Sequence, residues 1–179
     1  MKNYFNNLKN AMLVLSKDPR VIFLGQSVSC PGTGMFNTLK DINKNKLVEL
    51  PVSEDFQMGV SNGLALNNMV PVSIFPRWNF LVLAFNQIVN HLDKMADLCS
   101  NKVKAKVIIR TAIGSERPLY PQIQHVGDFT DSLRGMCSNL EVIRLYNSND
   151  ILPSYKKALY RRDGVSTILV EYGDFYNEK

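Results

Sequence analysis

Short, wholly apolar runs that alternate with helix-like stretches constrain this fold more than any other feature of the sequence. Val21-Ile22-Phe23-Leu24 is such a run, and it ends at Gly25. A strand that is apolar on both faces is typical of a parallel sheet covered by helices on both sides. The preceding segment ends at Asp18-Pro19 and has the spacing of an amphipathic helix. Its apolar stripe consists of Phe5, Leu8, Met12 and Leu15.

The same alternation continues to the end of the chain. Further strands are predicted over 47–50, 70–75, 106–110, 141–145 and 167–172. Helices are predicted over 54–66, 79 to about 98, 128–136 and up to 162, with Ser148 or Asn149 as the cap of the last helix. Strands and helices in this order predict parallel pairing. The expected fold class is therefore α/β, a single domain over residues 1–179, with a mostly parallel sheet of about six strands and helices on both faces.

Composition and charge exclude several classes of protein. Apolar residues make up 45% of the chain, enough for a packed core. The apolar stretch 80–85 is far shorter than the roughly 20 residues of a membrane-spanning helix, so we expect a soluble protein with no membrane partner. The net charge of +5 is spread along the chain without a recognition motif. We therefore expect no nucleic-acid partner.

Cysteine and histidine usage bears on redox compartment and metal binding. Cys30, Cys99 and Cys137 are far apart, and no C-x-x-C is present. This pattern favours a reducing, cytoplasmic location over a secreted disulfide framework. His91 and His125 are the only histidines, so no metal site built by this chain alone is expected.

Four loops are the expected location of a binding site. In a parallel sheet the crevice lies beyond the carboxyl ends of the strands. The loops at those ends are 26–37, 51–56, 75–80 and 111–125. Segment 30–34 is glycine-rich but lacks the Gly-Lys-Ser/Thr ending of a phosphate-binding loop, which favours a flexible turn.

Three residues in these loops have both a functional and a purely structural interpretation. Glu54 opens a helix, where an acid can simply complement the helix dipole. That helix is rich in small residues, which indicates close packing of a helix or a partner subunit. Phe80 can belong to the core or form a flat platform for a ring. His125 lies in a polar loop, where a proton carrier and a structural role remain open.

Six short segments occur in the order and with nearly the spacing seen in a known family. They are Val21-Ile22-Phe23-Leu24-Gly25, Leu50-Pro51-Val52-Ser53-Glu54 (T-P-I-S-E in the family), Phe56-x-x-Gly59 (G-F-x-G), Asn79-Phe80 with Gln87-Ile88-Val89-Asn90 (N-F and D-Q-I-x-N), Gln124-His125 (Q-H) and Leu169-x-Glu171. On these segments, residues 9–177 resemble the pyrimidine-binding domain of thiamine-diphosphate-dependent enzymes. The resemblance is to the beta subunit of pyruvate and other 2-oxoacid dehydrogenases and to transketolase.

The resemblance implies thiamine diphosphate as cofactor and assigns roles to residues. Glu54 falls on the glutamate that hydrogen-bonds the aminopyrimidine ring, and Phe80 on the aromatic residue that stacks on that ring. His125 falls on an active-site histidine that contacts substrate. Glu54 and His125 are therefore the candidate catalytic residues. Gln26 and Ser27, which replace the acidic residues common in the family, join Glu54 and Phe80 as candidate cofactor-binding residues.

The resemblance also predicts an incomplete active site. The 179 residues contain no Gly-Asp-Gly segment followed at the family's spacing by Asn. By the resemblance, we also expect the family's C-terminal domain to be absent. We therefore expect a separate, alpha-type subunit to hold the diphosphate and Mg²⁺ in an α2β2 heterotetramer acting on a 2-oxo acid or ketose. The reaction would be 2-oxo acid decarboxylation or ketol transfer. Two alternatives remain: a degenerate, non-catalytic homologue acting as a binding or regulatory partner, and an unrelated flavodoxin-like binder of small ligands.

Overall fold

A computed structural model describes residues 3–100, 102, 105–116 and 120–177. Six parallel strands form one sheet in the order β2-β1-β3-β4-β6-β5, which confirms the predicted α/β fold class. The strands are β1 (Val21–Gly25), β2 (Leu47–Glu49), β3 (Val70–Phe75), β4 (Ile108–Ile113), β5 (Leu140–Arg144) and β6 (Ser166–Tyr172). All six carboxyl ends therefore lie at one edge of the sheet, where the loops of the predicted crevice begin.

Helices cover both faces of the sheet. They are α1 (Tyr4–Ser16), α2 (Gly34–Asn37), α3 (Glu54–Leu66), α4 (Trp78–Leu81), α5 (Met95–Leu98), α6 (Thr130–Met136) and α7 (Ser148–Tyr160). Helices α1 and α7 pack together over one face. Helices α3, α4 and α6 contribute to the core on the other face. Because strand side chains alternate between faces, Ile108 joins the first core and Ile109 the second.

Helix α1 follows the predicted apolar stripe with one change at its start. Leu8, Met12 and Leu15 are fully buried as expected, but Phe5 is only partly buried. Tyr4 takes the buried position instead, and its hydroxyl donates a hydrogen bond to the Leu145 carbonyl at 2.7 Å. A buried tyrosine satisfies its polar end in this way while its ring fills the core.

Strand β4 begins two residues later than predicted, and the reason is a side-chain interaction. Lys106 was predicted to start the strand, but its ammonium group donates to the carbonyl oxygens of Leu159 and Arg161. These carbonyls lie at the C-terminal end of α7, where backbone oxygens lack partners within the helix. Helix α7 ends at Tyr160, so the prediction that it extends to residue 162 was wrong. The predicted cap was also wrong, because Asn147 caps the helix and its side chain accepts from the Asn149 N–H at 3.0 Å.

The long helix predicted from residue 79 to about 98 is interrupted. A turn at Asp93 and Lys94 separates α5 from a helical stretch that contains a π-helical segment, Gln87–Leu92. The Asp93 carboxylate accepts the backbone N–H groups of Ser138 and Asn139 at 3.0 and 2.7 Å. Because these hydrogen bonds join Asp93 to residues far away in the sequence, the periodicity of the helix does not reveal the break. No helix of the described residues has the length and apolarity needed to cross a membrane.

Candidate functional site

The turn after β1 delivers Gln26 and Ser27 to the carboxyl edge of the sheet. Gly25 has a φ of +148°, and a Cβ built there would lie 2.3 Å from the Ile74 carbonyl oxygen. Only glycine permits this approach between β1 and β3. Ser27 adopts a left-handed conformation with a φ of 53°. The backbone therefore enters a turn directly after β1, at residues 26 and 27.

Glu54 begins α3 and lies against this turn. Its side chain is buried, with 6% of its surface exposed, and its Oε1 accepts a hydrogen bond from Gln26 Nε2 at 3.1 Å. One turn later, Gln57 Nε2 donates to Ser73 Oγ at 3.0 Å and to the Ile74 carbonyl at 2.9 Å. These bonds fix the start of α3 on β3. The structure thus brings together two of the predicted site residues, Glu54 and Gln26.

A second pair, Phe80 and His125, is also brought together. Phe80 lies in α4, and His125 ends a short 3₁₀ turn, Ile123–His125. Their ring centroids are 5.2 Å apart with the planes tilted by 51°. The His125 Nδ1 atom is buried and has no hydrogen-bond partner among the described residues. A buried polar nitrogen without a partner is unusual in a folded protein, which makes His125 a candidate for contact with a ligand.

Arg77 fastens the loop that carries His125, and the sequence reasoning missed it. Its Nη1 donates to the carbonyl oxygens of Gly114 at 2.8 Å and of His125 at 2.9 Å. Burial lowers the pKa of Arg77, while the charge of Asp174 acts in the opposite direction. In the sequence, Arg77 stands directly before α4 and would be interpreted as a helix cap. Its hydrogen bonds to the 111–125 loop are visible only in the folded structure. Pro118, in the same loop, lies outside the described residues.

A cavity of about 720 Å³ lies at the carboxyl edge of the sheet. Gln26, Ser27, Arg77 and Phe80 line it, whereas the predicted catalytic residues Glu54 and His125 do not. Glu54 contacts the lining residue Gln26, and His125 contacts the lining residue Phe80. Its wall combines the predicted loops 26–37, 75–80 and 111–125 with a segment absent from the prediction, Gly173–Asn177. That segment follows the last strand, where sequence patterning offers no signal. No cluster of three or more metal-ligating side chains is present in the described part of the chain.

Comparison with known proteins identifies the family of this chain. The family model described as "Transketolase, pyrimidine binding domain" matches residues 3–174. The mitochondrial beta subunit of the pyruvate dehydrogenase E1 component from Caenorhabditis elegans is 24% identical over 92% of this chain and 46% of the relative. The corresponding subunit from Gracilaria tenuistipitata var. liui is 24% identical over 88% of this chain and 59% of its own length. The chain thus spans about half the length of these curated relatives.

Solved structures show the same fold at lower identity. A chain described as "Split gene transketolase, inactive beta4 tetramer" has a TM-score of 0.66 and 17% identity, over 95% of this chain and 50% of that one. An enzyme from Mycobacterium smegmatis, assigned to the thiamin diphosphate-dependent class, has a TM-score of 0.58 and 12% identity, over 92% of this chain and 31% of that one. Since the family model spans nearly the whole sequence, this protein belongs to the transketolase pyrimidine binding domain family.

Proposed function

We propose that this chain is the pyrimidine-binding subunit of a thiamine-diphosphate-dependent enzyme whose active site is completed by a second subunit. The reaction class is ketol transfer, as in transketolase, or decarboxylation of a 2-oxo acid. The partner is an alpha-type subunit that holds the diphosphate and Mg²⁺, in an α2β2 assembly. A ketose or a 2-oxo acid is the substrate.

The observation that carries the proposal is the placement of Glu54. Its carboxyl group is withdrawn from solvent at the first turn of α3, and its partner Gln26 lines the same cavity as Phe80. Gln26 occupies Oε1 of that carboxyl group, and this is the only hydrogen bond to the Glu54 side chain from the described residues. A buried carboxyl group one hydrogen bond away from a cavity with an aromatic lining residue suits an aminopyrimidine, which has a flat ring and basic ring nitrogens.

The chain's own residues supply binding and proton placement. Thiamine diphosphate, when bound, provides the electron sink for breaking a carbon–carbon bond next to a carbonyl. Glu54 Oε2 would share a proton with a nitrogen of the cofactor's pyrimidine ring, because a carboxyl group away from water is a suitable acid–base partner there. Phe80 would present the flat surface that orients the ring. His125, which contacts the Phe80 ring, would act as the proton carrier on the substrate side.

An exposed face of α3 supports the existence of a partner subunit. Phe56 is 54% exposed and Leu66 is 46% exposed, although both are large and apolar. Gly63 lies between them along the helix, and a Cβ built there would meet no atom within 4 Å. Leu83, 62% exposed, follows α4 in a helical segment that contacts α3. Apolar residues grouped around a glycine on a surface helix are typical of a protein–protein interface.

The test compares Glu54 with its neighbour Asp55 in the chain purified with its native partner. Glu54→Gln removes the acid while keeping the shape, so we expect turnover to fall by at least about 10²-fold. Asp55→Asn is the matched control, since Asp55 is an exposed acid in the same helical turn. We expect the control to keep near-normal turnover. Full activity of Glu54→Gln would contradict the proposed mechanism.

Gln26 favours a second candidate function, a non-catalytic homologue that acts as a binding or regulatory partner. The amide of Gln26 stands where the family commonly has an acid, and it contacts Glu54 directly. This candidate predicts that the natively purified complex contains a partner but no thiamine diphosphate. Stoichiometric thiamine diphosphate and Mg²⁺ in the complex would exclude it. Native mass measurement with cofactor analysis therefore separates the two candidates.

A further inference from the structure

Glu49, the last residue of β2, binds the loop that follows β1. Its Oε1 accepts the Ser27 backbone N–H at 2.6 Å. Its Oε2 accepts the N–H groups of Val28 at 2.8 Å, Ser29 at 2.7 Å and Cys30 at 3.3 Å, and also the Ser29 hydroxyl at 3.2 Å. Successive backbone N–H groups that converge on one anion form a nest. In this chain the nest is filled by an internal carboxylate.

The carboxylate is held in its charged form. Burial works against the charge of Glu49, but the N–H groups of Ser29, Ser27 and Val28 outweigh it, so the pKa of Glu49 lies below its ordinary value. Hydrogen bonds with one ionised partner are roughly twice as strong as those between neutral groups. They also support the left-handed conformation of Ser27, which is unfavourable for a residue with a side chain.

Gln26 lies between two residues that are anchored to the end of β2. On one side, the Gly25 carbonyl accepts the Leu50 N–H at 2.9 Å. On the other side, Ser27 donates to Glu49. With both neighbours fixed, the Gln26 backbone has a defined direction, and its amide reaches Glu54 at 3.1 Å.

We propose that Glu49 is a positioning residue for Glu54, acting through the 27–30 loop and the Gln26 amide. Glu49 itself contacts neither the cavity-lining Phe80 nor the Glu54 carboxyl group. Its effect is to hold the loop in the one arrangement that places an N–H donor on Glu54 Oε1. The catalytic consequence rests on the proposed function of Glu54, whereas the placement of Gln26 does not.

The decisive variant is Glu49→Gln, which keeps the size of the side chain and removes its charge. Glutamine keeps one carbonyl acceptor, but its NH₂ group cannot accept, so the N–H groups that bind one of the two carboxylate oxygens lose their acceptor. In the ¹⁵N-labelled full chain, we expect the Gln26 side-chain NH₂ resonances to move to the position of a solvent-exposed glutamine. Gln26→Leu deletes these resonances and so assigns them. Asp163→Asn is the matched control, because Asp163 accepts the Val165 N–H in a loop at the opposite edge of the sheet.

Each outcome decides the proposal. Shifted Gln26 resonances in Glu49→Gln, with unchanged ones in Asp163→Asn, support it, and unchanged resonances in a folded Glu49→Gln overturn it. If Glu49→Gln does not fold, Glu49→Ala decides, since it removes the carboxylate without bringing an NH₂ group against the loop. Wild-type Gln26 resonances in that variant overturn the proposal. In the native complex we expect kcat of Glu49→Gln to fall by about 10²-fold, as for other small displacements of catalytic groups.

The proposed function can fail separately from this inference. If Glu54→Gln retained full turnover, Glu54 would lose its catalytic role. The Gln26 resonances would still report whether Glu49 places the Gln26 amide, because that measurement requires neither cofactor nor partner.

Discussion

The buried ion pair between Arg110 and Glu171 allows a quantitative test of the core. Both side chains have no exposed surface, and Arg110 Nε and Nη2 donate to Glu171 at 2.5 and 3.0 Å. The hydroxyls of Tyr155 and Tyr176 also donate to Glu171, and Arg110 Nη1 donates to Thr38 Oγ1 at 2.8 Å. Although burial opposes its charge, the attraction of Glu171 holds the pKa of Arg110 above its usual value.

Removal of one charge is expected to cost much more than removal of both. Arg110→Met leaves the Glu171 carboxylate buried without its cation, which destabilises a fold by about 3–5 kcal/mol. Glu171→Gln leaves the guanidinium without its anion at a similar cost. In the double variant neither charge remains, and the glutamine carbonyl still accepts a tyrosine hydroxyl. We therefore expect the double variant to be more stable than either single variant.

Urea denaturation followed by circular dichroism measures the four members of this double-mutant cycle. For a chain of this size, a loss of 3–5 kcal/mol lowers Tm by roughly 6–20 °C. Lys9→Met, which removes a partly exposed cation paired with Asp41, is the control and should cost no more than about 1 kcal/mol. The reasoning is refuted if the double variant loses the sum of the two single losses. Such additivity would mean that the two charges do not interact.

Two further predictions concern backbone space and high pH. Gly25→Ala should destabilise the chain by about 2–4 kcal/mol, because the new methyl group would overlap the Ile74 carbonyl. The matched change Gly63→Ala lies on an exposed helix face and should stabilise the chain by about 0.5–1 kcal/mol. Thermal melts that rank the two variants in the opposite order would contradict this expectation. Burial and the charge of Glu171 raise the pKa of Tyr155 and Tyr176. Their contribution is therefore complete below pH 10 and declines above it, by about 1.4 kcal/mol per pH unit for each tyrosine, as unfolded tyrosines ionise. A urea midpoint that stays constant between pH 9.5 and 11 would contradict that expectation.

The sheet could be predicted from the sequence because a buried parallel strand has a local signature. Every predicted strand overlaps an observed one, with ends that differ by at most three residues. The interruption at Asp93 could not be predicted, since its cause is a bond to residues more than 40 positions away. The same is true of Lys106, which leaves the strand to cap α7.

The sequence could predict a site residue only where a charged or aromatic residue stands in a loop that follows a strand. Glu54 and Phe80 meet that condition: Phe80 lines the cavity at the carboxyl edge, and Glu54 contacts Gln26, which lines it too. Glu49 does not, because an acid at the end of an edge strand is ordinary until the 27–30 loop folds over it. Arg77 is similar, since its partners are backbone carbonyls that carry no sequence identity.

Glu49 and Arg77 both bind backbone groups, and this limits which sequence changes can disturb the site. Contacts made through backbone N–H and carbonyl groups tolerate nearly any sequence in the loop that supplies them. The exposed side chains of Ser29 and Cys30 can therefore change, except to proline, without loss of these bonds, provided that Glu49 keeps its carboxylate and Ser27 keeps its left-handed conformation. Substitution of Ser29 by alanine removes one weak bond of 3.2 Å but leaves its N–H in place. We therefore expect Ser29→Ala to leave the Gln26 resonances unchanged where Glu49→Gln moves them, which places the positioning effect in the carboxylate and not in the loop sequence.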